Sequence, residues 1–343
     1  VRGFRVGLLG TLNGFETPWV YTIFGATNAF DKGFNEDRLD SFTLFDWRLD
    51  VPIFRRSTLS IGKQKEPISG ERVQSMIFNH MQERSVASDA LLPSRNVGIV
   101  LNGGHEPRYV TWAVGVFNDW FDMNQDFGDS ATQLIGRVTW APLRTDDDSN
   151  LLHLAVGYRY DDGKEGFRFF TEPEFNNAPN YVDTGFGTEA GVLPADDLST
   201  YNVELSWRRG PYWLASEYTR TDVRNASLGN PGFDGYWIAG SWTLTGEMRP
   251  YNPKSGTFRG VPVSQSVYQG GKGAWELSAR WSTLDLSDGL VQGGEVDIAS
   301  LGLTWWLTPI FSVSANYRYI RNDRLGVQGT SSGFNSRLLL LLE

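Results

Sequence analysis

Cysteine is missing from all 343 residues, which excludes disulfides, thiol nucleophiles and zinc–thiolate sites. Long apolar runs are missing as well. The longest unbroken one is Leu338 to Leu342, whereas a bilayer-spanning helix needs about 18 apolar residues or more. Basic charge is in deficit, with 31 Lys and Arg against 40 Asp and Glu and a formal net charge of −9. Nucleic acid, which selects a basic patch, is therefore disfavoured as a partner. The three histidines, His80, His105 and His153, lie in separate segments without the i, i+4 pair of a zinc helix, so no metal or cofactor is expected. A GxSxG elbow is absent, nothing singles out a nucleophile, and an enzyme is not expected. Asp146-Asp147-Asp148 reads as a solvated turn, because a calcium loop needs spaced ligands and a glycine. Neither an initiator Met nor a signal peptide stands at Val1, so a processed or shortened chain is expected.

What the chain has is aromatic and glycine residues: 13 Trp, 13 Tyr and 38 Gly, with only 40 % hydrophobic content. It also has alternation along its whole length. In 311–321, Phe311, Val313, Ala315, Tyr317 and Tyr319 share one face, and Ser312, Ser314, Asn316 and Arg318 the other. Segments 274–284 and 152–160 repeat the pattern with Trp275, Leu277, Trp281 and with Leu152, Leu154, Val156, Tyr158. Strands are expected at about 1–12, 17–29, 40–53, 56–65, 95–103, 108–120, 131–142, 150–161, 199–209, 211–223, 234–246, 273–286, 294–307, 311–322 and 333–342. Their connections alternate short and long, with 247–272 as the clear break. Strands of 10–13 residues joined this way fit an all-β, antiparallel up-and-down transmembrane barrel with tight periplasmic turns and long external loops. Since bacterial barrels of one chain are even-numbered, fifteen strands imply a sixteenth before Val1, in one domain spanning 1–343. A barrel of that size leaves an aqueous channel.

The stretches GYWIAGSWTLTGE at 235–247 and GAWELSAR at 273–280 carry a resemblance, together with SIGKQKEP at 60–67, GRVTWAPL at 136–143, VDTG at 182–185 and SANYRY at 314–319. In that order and spacing the chain resembles the phosphate-selective porin O and P family. The resemblance implies a homotrimer in the bacterial outer membrane, among its lipid and lipopolysaccharide. It further implies sixteen strands, external loops at 66–94 and 162–198 folded inward, and a long periplasmic turn at 247–272 entering the pore. By the same register, Val1 begins at the second strand. Two features depart from the family. Its phosphate-selective members carry an Arg-x-Arg-Pro-Arg ladder where this chain has Phe170-Thr171-Glu172-Pro173-Glu174, with Arg168 the nearby arginine. The chain also ends in Glu343 after a leucine run, where such barrels end in an aromatic.

Selectivity in a porin comes from charges along a narrow, partly desolvated passage. Alternation turns Arg137, Arg159, Glu217, Glu276, Arg280 and Arg318 inward as pore-lining candidates. They form either a transverse field or a solvated wall of mutually paired charges. Constriction candidates are Arg168, Glu172 and Glu174, then Glu71 and Arg72 in 66–94, then Arg249, Lys254 and Arg259 in 247–272. Glu172 and Glu174 would favour cations if they narrow the pore, and are otherwise an exposed pair. The basic turn would favour anions. Val73 to Arg84 is expected as a short amphipathic helix that narrows the lumen or caps it. The expected function is passive diffusion of small polar or charged solutes. The alternatives are a phosphate or polyphosphate channel, a loop-plugged structural barrel, and a lipid-acting barrel enzyme.

Overall fold

In a computed structural model of the chain, the described residues are 4–27, 42–54, 56–118, 120, 126, 128–176, 178–186 and 191–342. The wall is built of β1 (Arg5–Leu12), β2 (Trp19–Ala26), β3 (Thr43–Phe54), β4 (Ser57–Lys65), β5 (Arg95–His105), β6 (Val110–Asn118), β7 (Thr132–Arg144) and β8 (Asn150–Asp161). Two short pairs follow in sequence without joining the wall: β9 (Phe170–Thr171) with β10 (Val182–Asp183), and β14 (Tyr251–Asn252) with β15 (Thr257–Phe258). The remaining wall strands are β11 (Asp197–Arg209), β12 (Tyr212–Arg224), β13 (Gly232–Thr243), β16 (Ala274–Asp288), β17 (Val291–Thr308), β18 (Phe311–Arg324) and β19 (Val327–Leu340). All fifteen wall strands pair with their sequence neighbours in one antiparallel meander, the up-and-down topology expected from the alternation. Residues 1–3, 28–29, 40–41 and 119 of the expected strands lie outside the described residues.

Which face looks outward separates a membrane barrel from a soluble sandwich. Val156 is 57 % exposed and Leu301 59 %, whereas Arg318 is 0 % and Arg280 3 %. Among the largest fully buried side chains, the first two are Arg208 and Arg318, an inversion of the usual order for a globular protein. Aromatic rings gather at both edges of the outer face. Tyr158 and Tyr201 meet at 5.3 Å near the rim that bears the long loops, and Trp275 stacks on Trp305 at 4.9 Å near the rim that bears the turns. Tyr201 and Trp207 lie on one strand, six residues or roughly 20 Å apart. The aliphatic band between such girdles is the lipid-facing surface of an outer-membrane barrel.

Three expectations need correction. The last strand begins at Val327, not 333, because Leu325 and Gly326 both take positive φ, 53° and 76°, and close a two-residue hairpin. The Gly- and Ser-rich run 329–333 is strand, not loop. Likewise β17 starts at Val291, after the tight turn at Gly289-Leu290, so the late connections on the loop-bearing side are short. Third, no helix covers Val73 to Arg84. Instead there are α1 (Gly70–Val73), a single 3-10 turn at Met76–Phe78, and α2 (Val86–Leu91). The reason is competition for carbonyls. Arg249 Nη1 donates to Phe78 O at 3.0 Å, and Arg280 donates to Glu83 O at 3.0 Å and Arg84 O at 3.2 Å. Of these carbonyls, a helix over 73–84 would use only Phe78 O, as the acceptor for Gln82 N. That N–H donates instead to Asn316 Oδ1 of β18 at 3.0 Å.

Candidate pore-lining site

Residues 66–94 leave β4 at the loop-bearing rim and cross the polar face of the wall. Glu66 accepts from Arg159 of β8 at 2.9 Å, and Ser69 Oγ donates to Glu217 of β12 at 2.5 Å. Gln82 Nε2 donates to Ser314 of β18 at 2.9 Å, while Arg337 of β19 donates to Gln82 O at 2.9 Å. One short segment can reach the same face of strands this far apart only if the sheet curls around it. Gly157 marks the closest approach: a Cβ there would collide with the carbonyl oxygen of Ile68.

A second insertion rises from the opposite rim. Between β13 and β16, residues 244–273 carry the β14–β15 hairpin inward to mid-wall, where Arg137 donates to Ser255 O at 3.1 Å and Gly256 O at 3.2 Å. The two insertions meet where Arg249 bonds Phe78 O, with the backbone of Gly260 beside the Phe78 ring.

The predicted pore-lining charges all sit on this inner face, engaged with partners. Arg137 forks onto Glu204, both contacts 2.7 Å. Arg159 bridges Glu66 and Asp161 at 2.9 and 3.0 Å. Glu276 receives the Arg249 guanidinium at 2.8 and 2.7 Å. Arg318 bonds Asn335 at 2.5 Å and approaches Glu174 at 4.0 Å. Glu217 accepts from Ser69 Oγ and, at 2.7 Å, from Glu71 N. Arg280 reaches Glu174 at 2.5 Å and Glu71 at 3.3 Å.

The predicted constriction residues divide. Glu174 is buried and faces the wall, receiving Arg280, Ser282 Oγ, Ser300 Oγ at 3.4 Å and Val86 N at 3.3 Å. It is a fastener for the 162–198 segment, so the acidic-pair expectation does not describe its carboxylate. Glu172 is only half-buried. Arg168 forks onto Asp183 at 3.0 and 2.8 Å. Glu71 accepts from Ser85 N and Oγ, and Arg72 donates to the carbonyls of Ser88, Asp89 and Leu92. Arg249 also lies 5.4 Å over the Trp213 ring. Lys254 and Arg259 are exposed, Lys254 3.9 Å from Glu106. The Asp146–Asp148 stretch is a turn in which Asp147 accepts from Ser149 N and Oγ.

Sequence reasoning missed Glu204, Asn202 and His153, although all three alternate with outward apolar neighbours and that signal was available. His153 bonds Glu204 at 3.2 Å and Tyr251 Oη at 2.9 Å. His80, far away in sequence, packs 5.1 Å from the Trp213 ring and lines the same cavity as His153. Burial, with Arg280 and Arg249 nearby, presses the His80 pKa well below its ordinary value, so the ring stays neutral. Among the described residues no group of acidic and histidine side chains forms a metal site.

Comparison with known proteins follows the same lines. The chain is 23 % identical to Porin O of Pseudomonas aeruginosa over 230 residues, 60 % of this chain and 51 % of that protein. It spans about half the length of the curated relatives it matches. The anion-selective porin from Comamonas acidovorans superposes with a TM-score of 0.55 at 13 % identity, covering 97 % of this chain and 86 % of that one. The in-vitro folded OmpT of Vibrio cholerae, in its trimer form, gives 0.53 at 13 % identity over 97 % and 88 % of the two chains. These likenesses fix the fold as that of an outer-membrane barrel. The sequence profile described as Phosphate-selective porin O and P matches residues 1–332, and the chain belongs to that family.

Proposed function

We propose that the protein is a passive outer-membrane channel for small hydrophilic solutes, narrowed from one rim by 66–94 and 162–198 and from the other by 247–272. The observation that carries this is the buried ion-pair set Arg159–Glu66, Arg280–Glu174 and Arg249–Glu276, which ties each insertion to the wall. A wet lumen with fixed, preset obstacles sorts solutes by size and by the charges left over. In the full barrel a further strand lies between β1 and β19, giving sixteen. Each of these strands pairs on one side only among the described residues, and an unpaired edge in lipid costs several kcal/mol per group. Homotrimers among lipopolysaccharide are the proposed assembly. The chain acts as a channel and not as an enzyme. Ion current through protein reconstituted in a planar bilayer tests the reading, and its complete absence would favour a plugged structural barrel.

A second reading, an anion or phosphate path, is favoured by one cluster. At the loop-bearing rim, Arg5, Arg72 and Arg84 bear electrostatically on Lys65. Arg95 joins them, bonding Asp46 at 2.8 Å. This basic group does not depend on the missing arginine ladder. A reversal potential under a salt gradient separates the two readings, since a clear anion preference supports the basic rim as the selectivity element.

A further inference from the structure

Buried apolar side chains are spread unevenly around the wall. At the loop-bearing rim, Val86 of 66–94 and Phe169 of 162–198 pack against β11, β12, β13, β16, β17 and β18. At the turn-bearing rim, Tyr251 and Phe258 pack on β7, β8, β12 and β13, and Val261 packs on β16 and β17, with Leu339 of β19 beside it. Val100, Phe117 and Ile135 make a fourth cluster on β5, β6 and β7. Every wall strand from β5 to β19 thus has a residue in or against one of these clusters. Among the described residues, β1–β4 have none. Close-packed apolar groups leave no room for a file of water, and an ion pays heavily to enter them. A hydrated path must therefore run where they are missing.

On that side the inner face is charged and partly open. Asp46, Arg48 and Asp50 alternate down β3, the first and last roughly 13 Å apart. The Arg48 side chain is 38 % exposed, whereas those of Arg137, Arg280 and Arg318 on β7, β16 and β18 are 4 %, 0 % and 0 % exposed. Because β3 is paired on both sides, by β2 and by β4, this opening is not that of a sheet edge. The two acids are engaged. Asp50 accepts from Ser60 Oγ at 2.5 Å and from Arg48 Nε at 3.1 Å, and Asp46 accepts from Arg95 at 2.8 Å. Arg48 Nη1, by contrast, has no protein partner among the described residues. A guanidinium held at the edge of a narrow, partly desolvated passage acts on a passing ion more strongly than it would in bulk water.

We infer that solutes cross the lumen along β1–β4 and that Arg48 is the side chain that sorts them by charge. The inference rests on the channel reading for the existence of a current. Single cysteines test it cleanly, since the chain has none of its own. Arg48→Cys, Asp50→Cys and Thr22→Cys, the last opposite Arg48 on β2, are expected to react with a cationic methanethiosulfonate. The adduct should cut the single-channel current in planar bilayers roughly by half. Thr221→Cys and Ser278→Cys lie at positions 0 % and 2 % exposed on the sealed side; they are expected to stay unlabelled by mass and to conduct as before. Arg48→Glu is expected to raise the cation-to-anion permeability ratio, read from the reversal potential, by about fivefold. Heat-modifiable migration on gels verifies that each variant remains a folded barrel. Current untouched by modification at all three positions on β2 and β3, or blocked equally from Thr221→Cys or Ser278→Cys, overturns the route. A reversal potential indifferent to Arg48→Glu overturns the sorting role. Protein that carries no current at all fails the channel reading and the route with it, whereas protein that conducts but ignores these changes fails the route alone.

Discussion

Replacing Glu174 with glutamine removes one charge from the densest part of the internal network and leaves its shape intact. The carboxylate takes Arg280 at 2.5 Å and Val86 N at 3.3 Å, with Ser282 and Ser300 adding hydroxyl donors. Removing one partner of a buried ion pair costs about 3–5 kcal/mol. Arg280 retains Glu71 at 3.3 Å and the carbonyls of Glu83 and Arg84, so the low end applies, ~3 kcal/mol. At about 1.4 kcal/mol per factor of ten, this multiplies local opening of the segment by roughly 150. The assay is hydrogen exchange in detergent at the amides that close β9 on β10, Tyr181 N to Thr171 O and Thr184 N to Phe169 O. Lys254→Ala is the control. That side chain is 75 % exposed and 3.9 Å from its acidic neighbour, a surface pair worth at most about 1 kcal/mol. Protection in Glu174→Gln within threefold of the unaltered protein would refute the fastener role.

Arg249→Met leaves Glu276 buried without its cation and is expected to cost about 3–5 kcal/mol, most of it restored in Arg249→Met/Glu276→Met; urea unfolding of both variants in vesicles measures this. Gly157→Val drives a side chain into the Ile68 carbonyl, so 66–94 should leave the wall and become open to trypsin at Arg72 and Arg84 while the barrel stays heat-modifiable. Leu301→Arg places a charge on the outer face, where about 2–4 kcal/mol is lost near the bilayer midplane. Unfolding titrations in lipid vesicles should register that loss, and the same substitution at inward Ser300 should not follow the midplane scale.

Every wall strand was legible in the sequence, because alternation is a local property and each strand pairs with its neighbour in the chain. The errors fell at turns. Leu325-Gly326 closes a hairpin by positive φ at two residues, and the following Gly/Ser run has the composition of a loop although it lies in a ladder. Which residues look inward was legible for the same reason, down to Arg280 and Glu276.

What alternation cannot carry is what an inward side chain meets. The sequence by itself determined a polar inner face, an apolar outer one, three connections of unusual length and the missing arginine ladder. Only the tertiary structure decided that Glu174 of 162–198 closes on Arg280 of β16, and that Arg249 of 247–272 closes on Glu276 of the same strand. It also decided that His80 and His153 share a cavity. The physical reason is that strand pairing follows chain order and a repeating alternation. These contacts instead join an insertion to whichever wall residue the curled sheet sets opposite it, and no repeat marks them. They form where a curled sheet leaves buried charges that must find a partner or remain desolvated alone.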